Sequence, residues 1–243
     1  MGLQAPQEIF GQDFRVTSTT KDNRLGVRGS TVDGRTYRYI SNFTGAATLA
    51  AGLLAVQSTP ETNHVNQLID AAAAIGALKV DINVGATAAA ADLYADGYLN
   101  IQDVTGEGIL YLIEGHAAID SSGIGTINLA EPIKVALVAD SSEGSLIQNK
   151  FSNLVISVSD QADDPVGVPN IAIADDLYGW VQTGGPCSVL GDEVVAVGDN
   201  VTIGDSTGGA VSVVNADSEP LVGVCMQATV DGEYTVVDLK LES

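Results

Sequence analysis

The chain has 243 residues, with 31 Asp and Glu against 10 Lys and Arg, and a net charge of −21 with its two histidines neutral. That charge repels nucleic acid and anionic membrane surfaces, so neither is an expected partner of the body. A hydrophobic fraction of 45% excludes a disordered chain, while 5% aromatic content and 27 glycines point to short strands with small side chains and many turns.

The charge is uneven along the chain. The first forty residues carry six basic side chains (Arg15, Lys21, Arg24, Arg28, Arg35, Arg38) and four acids, net +2, whereas the remainder carries four basic and 27 acidic side chains, net −23. Residues 1–10 have no basic region followed by an apolar core and so do not read as a signal peptide. The most apolar windows, 46–56 and 71–80, are too short to span a bilayer. A soluble protein made in a cytoplasm is expected, with Cys187 and Cys225 as buried thiols.

In chain order, residues 1–24 lack periodicity and read as an extended arm. Strands are predicted at 25–28, 36–40 and 53–57, with Asp33-Gly34 as the turn before the second. Residues 35–40, Arg-Thr-Tyr-Arg-Tyr-Ile, alternate polar and large apolar side chains, the period of a half-buried strand. Thr59-Pro60-Glu61 reads as a helix start, with cap, proline and early acid in order. The spacing Val65, Leu68, Ile69, Ala72, Ile75 then predicts a short amphipathic helix ended by Gly76.

Residues 79–84 alternate as a strand, and the Ala-rich stretch 86–95 predicts a helical turn ended by Asp96-Gly97. Beyond it, strands are predicted at 98–101, 109–114, 125–129, 133–139 and 154–159, followed by an Asp-, Pro- and Gly-rich loop at 160–169. Residues 178–183 lead into a last unit in which Gly191-Asp192, Gly198-Asp199 and Gly204-Asp205 recur at intervals of seven and six residues. Its closing hairpin is predicted at 221–229 and 234–241, around Asp231-Gly232. The expected fold is mainly β: short antiparallel strands in sandwich or barrel units, with an extended N-terminal arm and one or two short helices. The expected division is 1–45, 46–175 and 176–243.

Catalytic equipment is sparse. Gly204-Asp205-Ser206-Thr207-Gly208-Gly209 approaches the nucleophile motif of trypsin-like proteases but has Thr207 inserted after the serine, where such sites need glycine for the oxyanion hole. The only candidate bases, His64 and His116, lack the setting of a triad. Glu114 beside His116 is an acid/base pair by proximity alone, in a chain rich in acids. Asp160, Asp163 and Asp164 share one loop without a calcium-loop pattern. No catalytic residue, cofactor or metal is expected. The interleaving of Arg35, Tyr37, Arg38 and Tyr39 instead suggests an interface, since Arg and Tyr bring forked hydrogen bonding and large contact area.

Residues 33–42 (DGRTYRYISN) and 49–57 (LAAGLLAVQ) resemble a family of tailed-phage virion proteins, the head decoration or cement proteins. The likeness continues through 71–99, 106–116, 131–137 and 178–186, and the segment 221–241 resembles the small β domains of such proteins. The resemblance implies a non-enzymatic virion component, made in the host cytoplasm and bound as a trimer to the major capsid protein on the outer head surface. Arg24, Arg28, Arg35, Tyr37, Arg38 and Tyr39 are then the expected docking contacts. An acidic body suits the outside of a shell packed with DNA. The alternative is a tail, fibre or adhesin component that binds a receptor or glycan, with Tyr178 and Trp180 as an exposed aromatic platform.

Overall fold

A computed structural model describes residues 8–42, 47–158 and 164–242. The chain is mainly β, with its sheets in barrel-like and sandwich arrangements. Among the described residues no helix is long and apolar enough to cross a membrane. The strands in chain order are β1 (Glu8–Phe10), β2 (Arg28–Ser30), β3 (Thr36–Asn42) and β4 (Ala55–Val56), then β5 (Gln67–Leu68), β6 (Lys79–Asn83), β7 (Tyr98–Asp103), β8 (Ile109–His116), β9 (Ile124–Leu129) and β10 (Glu143–Ile147). They are followed by β11 (Val155–Ile156), β12 (Pro165–Pro169), β13 (Leu177–Leu190), β14 (Asn200–Ile203), β15 (Val211–Val213), β16 (Gly223–Cys225) and β17 (Tyr234–Lys240).

Two compact units result, one holding Thr59–Lys150 and the other combining Pro6–Ser58 with Phe151–Ser243. The expected boundaries at 45 and 175 give way to this division, because β3 pairs with β13 across more than a hundred residues of sequence and draws both flanks into one unit.

In the Thr59–Lys150 unit the strands run in the order β5-β10-β7-β8-β9-β6. A bridge between Ile69, just past β5, and Ile82 within β6 joins the two edges and closes the sheet into a small barrel. Ile69, Ile82, Leu99, Ile101, Ile113 and Ile127 fill it, all fully buried.

In the other unit the 14-residue strand β13 takes part in two barrel-like rings of one 11-stranded sheet. Its first half pairs with β3 and β12, and β12 continues through β4 to β11. A Ser41–Ser152 bridge links that end back to β3, around a core of Ile40, Leu49, Leu154, Ile173 and Val181. Its second half pairs with β17, which leads through β16 and β14 to β15, and a Gly191–Val211 bridge returns to the end of β13. Val189, Val201, Ile203, Val211, Val237 and Leu239 pack inside this second ring.

One small device recurs eight times. A buried residue forms an isolated bridge, the chain turns, and the residue three positions on adopts positive φ shortly before the next strand. The bridge residues are Leu49, Ala73, Ala89, Ile119, Leu137, Ile173, Val195 and Thr229, and the bridges pair them as Leu49–Ile173, Ala73–Leu137, Ala89–Ile119 and Val195–Thr229. The positive-φ residues are Gly52, Gly76, Asp92, Ser122, Asp140, Asp176, Gly198 and Gly232. Positive φ in the second half of a tight turn favours Gly and, less strongly, Asp or Asn, and seven of the eight positions carry Gly (four) or Asp (three), with Ser122 the exception.

The predicted helix from Thr59 to Ile75 is absent. A single 3-10 turn, Thr62–His64, forms there, with the Glu61 side chain accepting from the Asn63 N–H. Asn66 then takes φ of 55°, which ends any helical run, and Ile69 and Ala73 commit their backbones to bridges. Val65, Leu68 and Ile75 remain exposed, so the apolar spacing never becomes one buried face. The stretch 86–95 holds the Ala89 bridge and consecutive turns in place of a helical turn. Residues 133–139 likewise carry only the Leu137 bridge where a strand was expected.

Gly76 (φ 91°) and Ser122 (φ 56°) test the turn device within the Thr59–Lys150 unit. A Cβ on Gly76 meets no atom within 4 Å, so Gly76→Ala changes backbone strain alone and should cost about 1–2 kcal/mol in chemical denaturation. Ser122→Gly should be neutral or stabilise by up to about 1 kcal/mol. No loss at Gly76 would show that the device does not depend on the left-handed residue.

Candidate docking face on the N-terminal strands

Strand β3 lies between β2 and β13, so the predicted arm is an interior part of a sheet. The turn at Asp33-Gly34 forms as expected, with Gly34 at φ 86° and its N–H on the Thr31 carbonyl at 3.1 Å. Tyr37 and Tyr39, two residues apart, face the same side and join Phe14, Leu25 and Trp180 in one cluster. Phe14 stacks on Tyr37 at 4.7 Å between centroids and meets Trp180 edge-on at 4.9 Å, while Tyr39 stacks on Tyr178 at 5.9 Å.

Both tyrosines are only 2% exposed, and burial pushes both hydroxyls above the ordinary tyrosine range. The docking role expected of Tyr37 and Tyr39 is therefore corrected to a core role. Burying a large aromatic ring stabilises the fold more than presenting it to solvent. Trp180, 3% exposed, is likewise a core residue and offers no platform for a glycan.

Arg38 lies on the opposite side of the strand and is engaged within the chain. It stands directly across from Arg28, a like-charge pair that destabilises a sheet unless an anion intervenes. Glu242 supplies that anion. Arg38 binds its carboxylate through Nε and through Nη2 at 3.0 Å, and Arg28 Nε lies 3.9 Å away. Arg38 Nη1 also donates to the Gly26 carbonyl at 2.6 Å, and its guanidinium lies over the Phe151 ring. Arg38 thus ties the C-terminal segment to the first sheet and is corrected from docking contact to structural clasp.

Arg35 reaches back across its own turn, with Nε and Nη2 each 2.9 Å from Asp33 Oδ2. The Thr31 hydroxyl, and Arg35 with it, hold the Asp33 carboxyl below the usual range. Arg24 is exposed, and the Arg28 side chain is 46% exposed, with Glu8 at 3.7 Å. Of the six expected contacts, Arg24 and Arg28 therefore face solvent most fully. Arg15, which the sequence pattern did not single out, is also exposed.

The residues weighed for chemistry lie apart. Ser206 Oγ donates to Asp192 at 2.9 Å and its N–H to the same carboxylate at 2.7 Å, a loop tie with a carboxylate where a triad would have an imidazole. Both histidines belong to the Thr59–Lys150 unit, buried around Tyr94. His64 Nδ1 bonds the Tyr94 hydroxyl, and His64 Nε2 bonds the Thr87 carbonyl at 2.7 Å. His116 Nε2 accepts the Tyr94 N–H at 3.1 Å, which leaves Nδ1 to donate to the Ala117 carbonyl at 2.8 Å.

Among the described residues no group of three or more His, Cys, Asp or Glu is placed to hold a metal ion. Asp160 and Asp163 of the acidic loop lie outside the described residues. Cys187 and Cys225 are free, buried thiols, and burial pushes Cys187 up to about 12. A comparison of the chain with protein families, curated proteins and solved structures finds no match.

The bonding of His116 fixes it as neutral, and burial lowers its pKa below the ordinary value of 6.5. The unfolded chain therefore binds the extra proton first, and the stability held above about pH 6.5 is lost as pH falls below it. The Thr59–Lys150 unit should melt at lower temperature at about pH 5.5 than at about pH 7.5, with a shallower dependence in His116→Asn. Equal slopes for both proteins would exclude His116 as the titrating group.

Proposed function

We propose that this protein is a non-enzymatic structural component of a tailed-phage virion. In this reading it decorates the outer head surface, binds the major capsid protein and bridges neighbouring capsid subunits. The carrying observation is the charge distribution: Arg15, Arg24 and Arg28 are exposed on one N-terminal segment, whereas everything after residue 40 nets −23. A basic N-terminal segment on an acidic body orients approach to an acidic patch on a partner and keeps the remainder away from other copies except through a dedicated interface.

The edge strand supports the same reading. Among the described residues β1 ends its sheet, pairs with β2 alone, in parallel, and leaves Phe10 68% exposed. Such an edge can accept a strand from a neighbour, with main-chain hydrogen bonds supplying affinity and side chains the specificity. Trimerisation and a place on the capsid surface belong to this proposal.

The test uses shells assembled without the protein, in co-sedimentation at low and moderate salt. Arg24→Glu combined with Arg28→Gln should weaken binding about tenfold or more, equivalent to about 1.4 kcal/mol, with an unchanged melting temperature. Arg38 is left intact because it clasps Glu242. Full occupancy by the double variant would remove Arg24 and Arg28 from the docking interface, and a wild-type protein that ignores shells altogether would refute the decoration role.

A further inference from the structure

A cleft of about 500 Å³ opens on the unit that contains β13, lined by Arg15, Arg35, Asn170, Cys187, Ser188 and Tyr234 among others. Two of the five arginines of the chain meet there, and none of the residues lining the cleft is acidic, although acids outnumber bases 31 to 10 overall. Arg15 makes no side-chain ion pair among the described residues, and Arg35 spends Nε and Nη2 on Asp33, so Nη1 is not used by that pair.

The base of the cleft is fixed by a satisfied polar network. Asn170 Nδ2 donates to the Tyr37 hydroxyl at 3.2 Å and to Gln182 Oε1 at 2.9 Å, and Asn170 Oδ1 faces the Cys187 thiol at 3.6 Å. Gln182 Nε2 in turn reaches the carbonyls of Gly184, Gly185 and Pro186. Both Asn170 Nδ2 hydrogens are thereby taken, so Asn170 fixes the floor of the cleft, and the exposed Ser188 and Tyr234 hydroxyls supply donors that can adapt. Guanidinium groups present paired N–H donors that match two oxygens of one anionic group.

We propose that this cleft binds an oxyanion, a carboxylate or phosphate group, held between Arg15 and Arg35 above Asn170 and Ser188. The acidic body that surrounds the cleft disfavours anions around it, so the site selects a compact group that the two arginines can neutralise. Binding weakens with added salt, because both arginines are partly open to solvent.

The test is calorimetric titration at low ionic strength with inorganic phosphate and, separately, with citrate as a polycarboxylate. Saturable binding of either anion at one site per chain is expected. Binding of phosphate alone identifies a phosphate group as the ligand chemistry, and binding of citrate alone identifies a carboxylate. Arg15→Gln and Arg35→Gln should each weaken binding about tenfold or more, Ser188→Asp should abolish it, and Arg24→Gln should leave it unchanged. Ser188 is exposed and outside the Asp33–Arg35 turn, so its variant carries the test if Arg35→Gln fails to fold. Absence of saturable binding for both anions, or unchanged binding in Arg15→Gln and Ser188→Asp, overturns the proposal.

Discussion

A single buried amide sits where β13 passes from one of its rings to the other. The strand leaves β3 and joins β17 at Gly184, next to a register shift between Gln182 and Gly184. There the Gln182 side chain, fully buried, gives its Nε2 to three successive carbonyls. The carbonyls belong to half-buried or exposed residues, so each of these bonds adds about 0.5–1.5 kcal/mol to the changeover. The backbone allows nothing bulkier: Gly185 sits at φ 79°, and a Cβ on Gly184 would stand 2.5 Å from Thr36 Oγ1. The proposed oxyanion cleft rests on that arrangement, since Asn170 is oriented by the same glutamine.

Scarcity of positive charge shapes the rest of the unit. With so few cations, each one spent inside the fold is withdrawn from any partner. Arg38 is spent on Glu242, Gly26 and Phe151, and Arg35 half spent on Asp33. The pairing of Arg28 opposite Arg38 makes sense only with Glu242 between them, so the C-terminal segment is electrostatically part of the first hairpin. Such a clasp is partly exposed, and its worth is modest compared with the aromatic cluster on the other side of β3.

Some of this was legible in the residues. The alternation at 35–40 marked a strand, Asp33-Gly34 marked its turn, and the glycines and valines marked β-structure. Alternation could not say which side of β3 meets water, because a central strand is covered by neighbours, and so Tyr37 and Tyr39 were read as contacts. The helical spacing from Val65 to Ile75 was genuine as a pattern, yet an isolated helix of that length is marginal in water, and backbone pairing at Ile69 and Ala73 prevailed. The turn device was half visible, at Gly198 and Gly232. Asp92, Asp140, Asp176 and Ser122 adopt the same positive φ without announcing it, since those residues are common in any acidic chain.

The sequence by itself determined the β class, the turn positions that carry glycine, and the separation of a basic N-terminal segment from an acidic body. These are local properties, set by side-chain period, backbone freedom and charge. Tertiary structure alone decided that 59–150 forms its own unit, that one strand serves two rings of a sheet, and that Arg15 and Arg35 share a cleft. It also decided which arginines remain open to solvent. Those outcomes depend on hydrogen-bond partners and packing neighbours drawn from distant parts of the chain, and no local pattern encodes the choice among them.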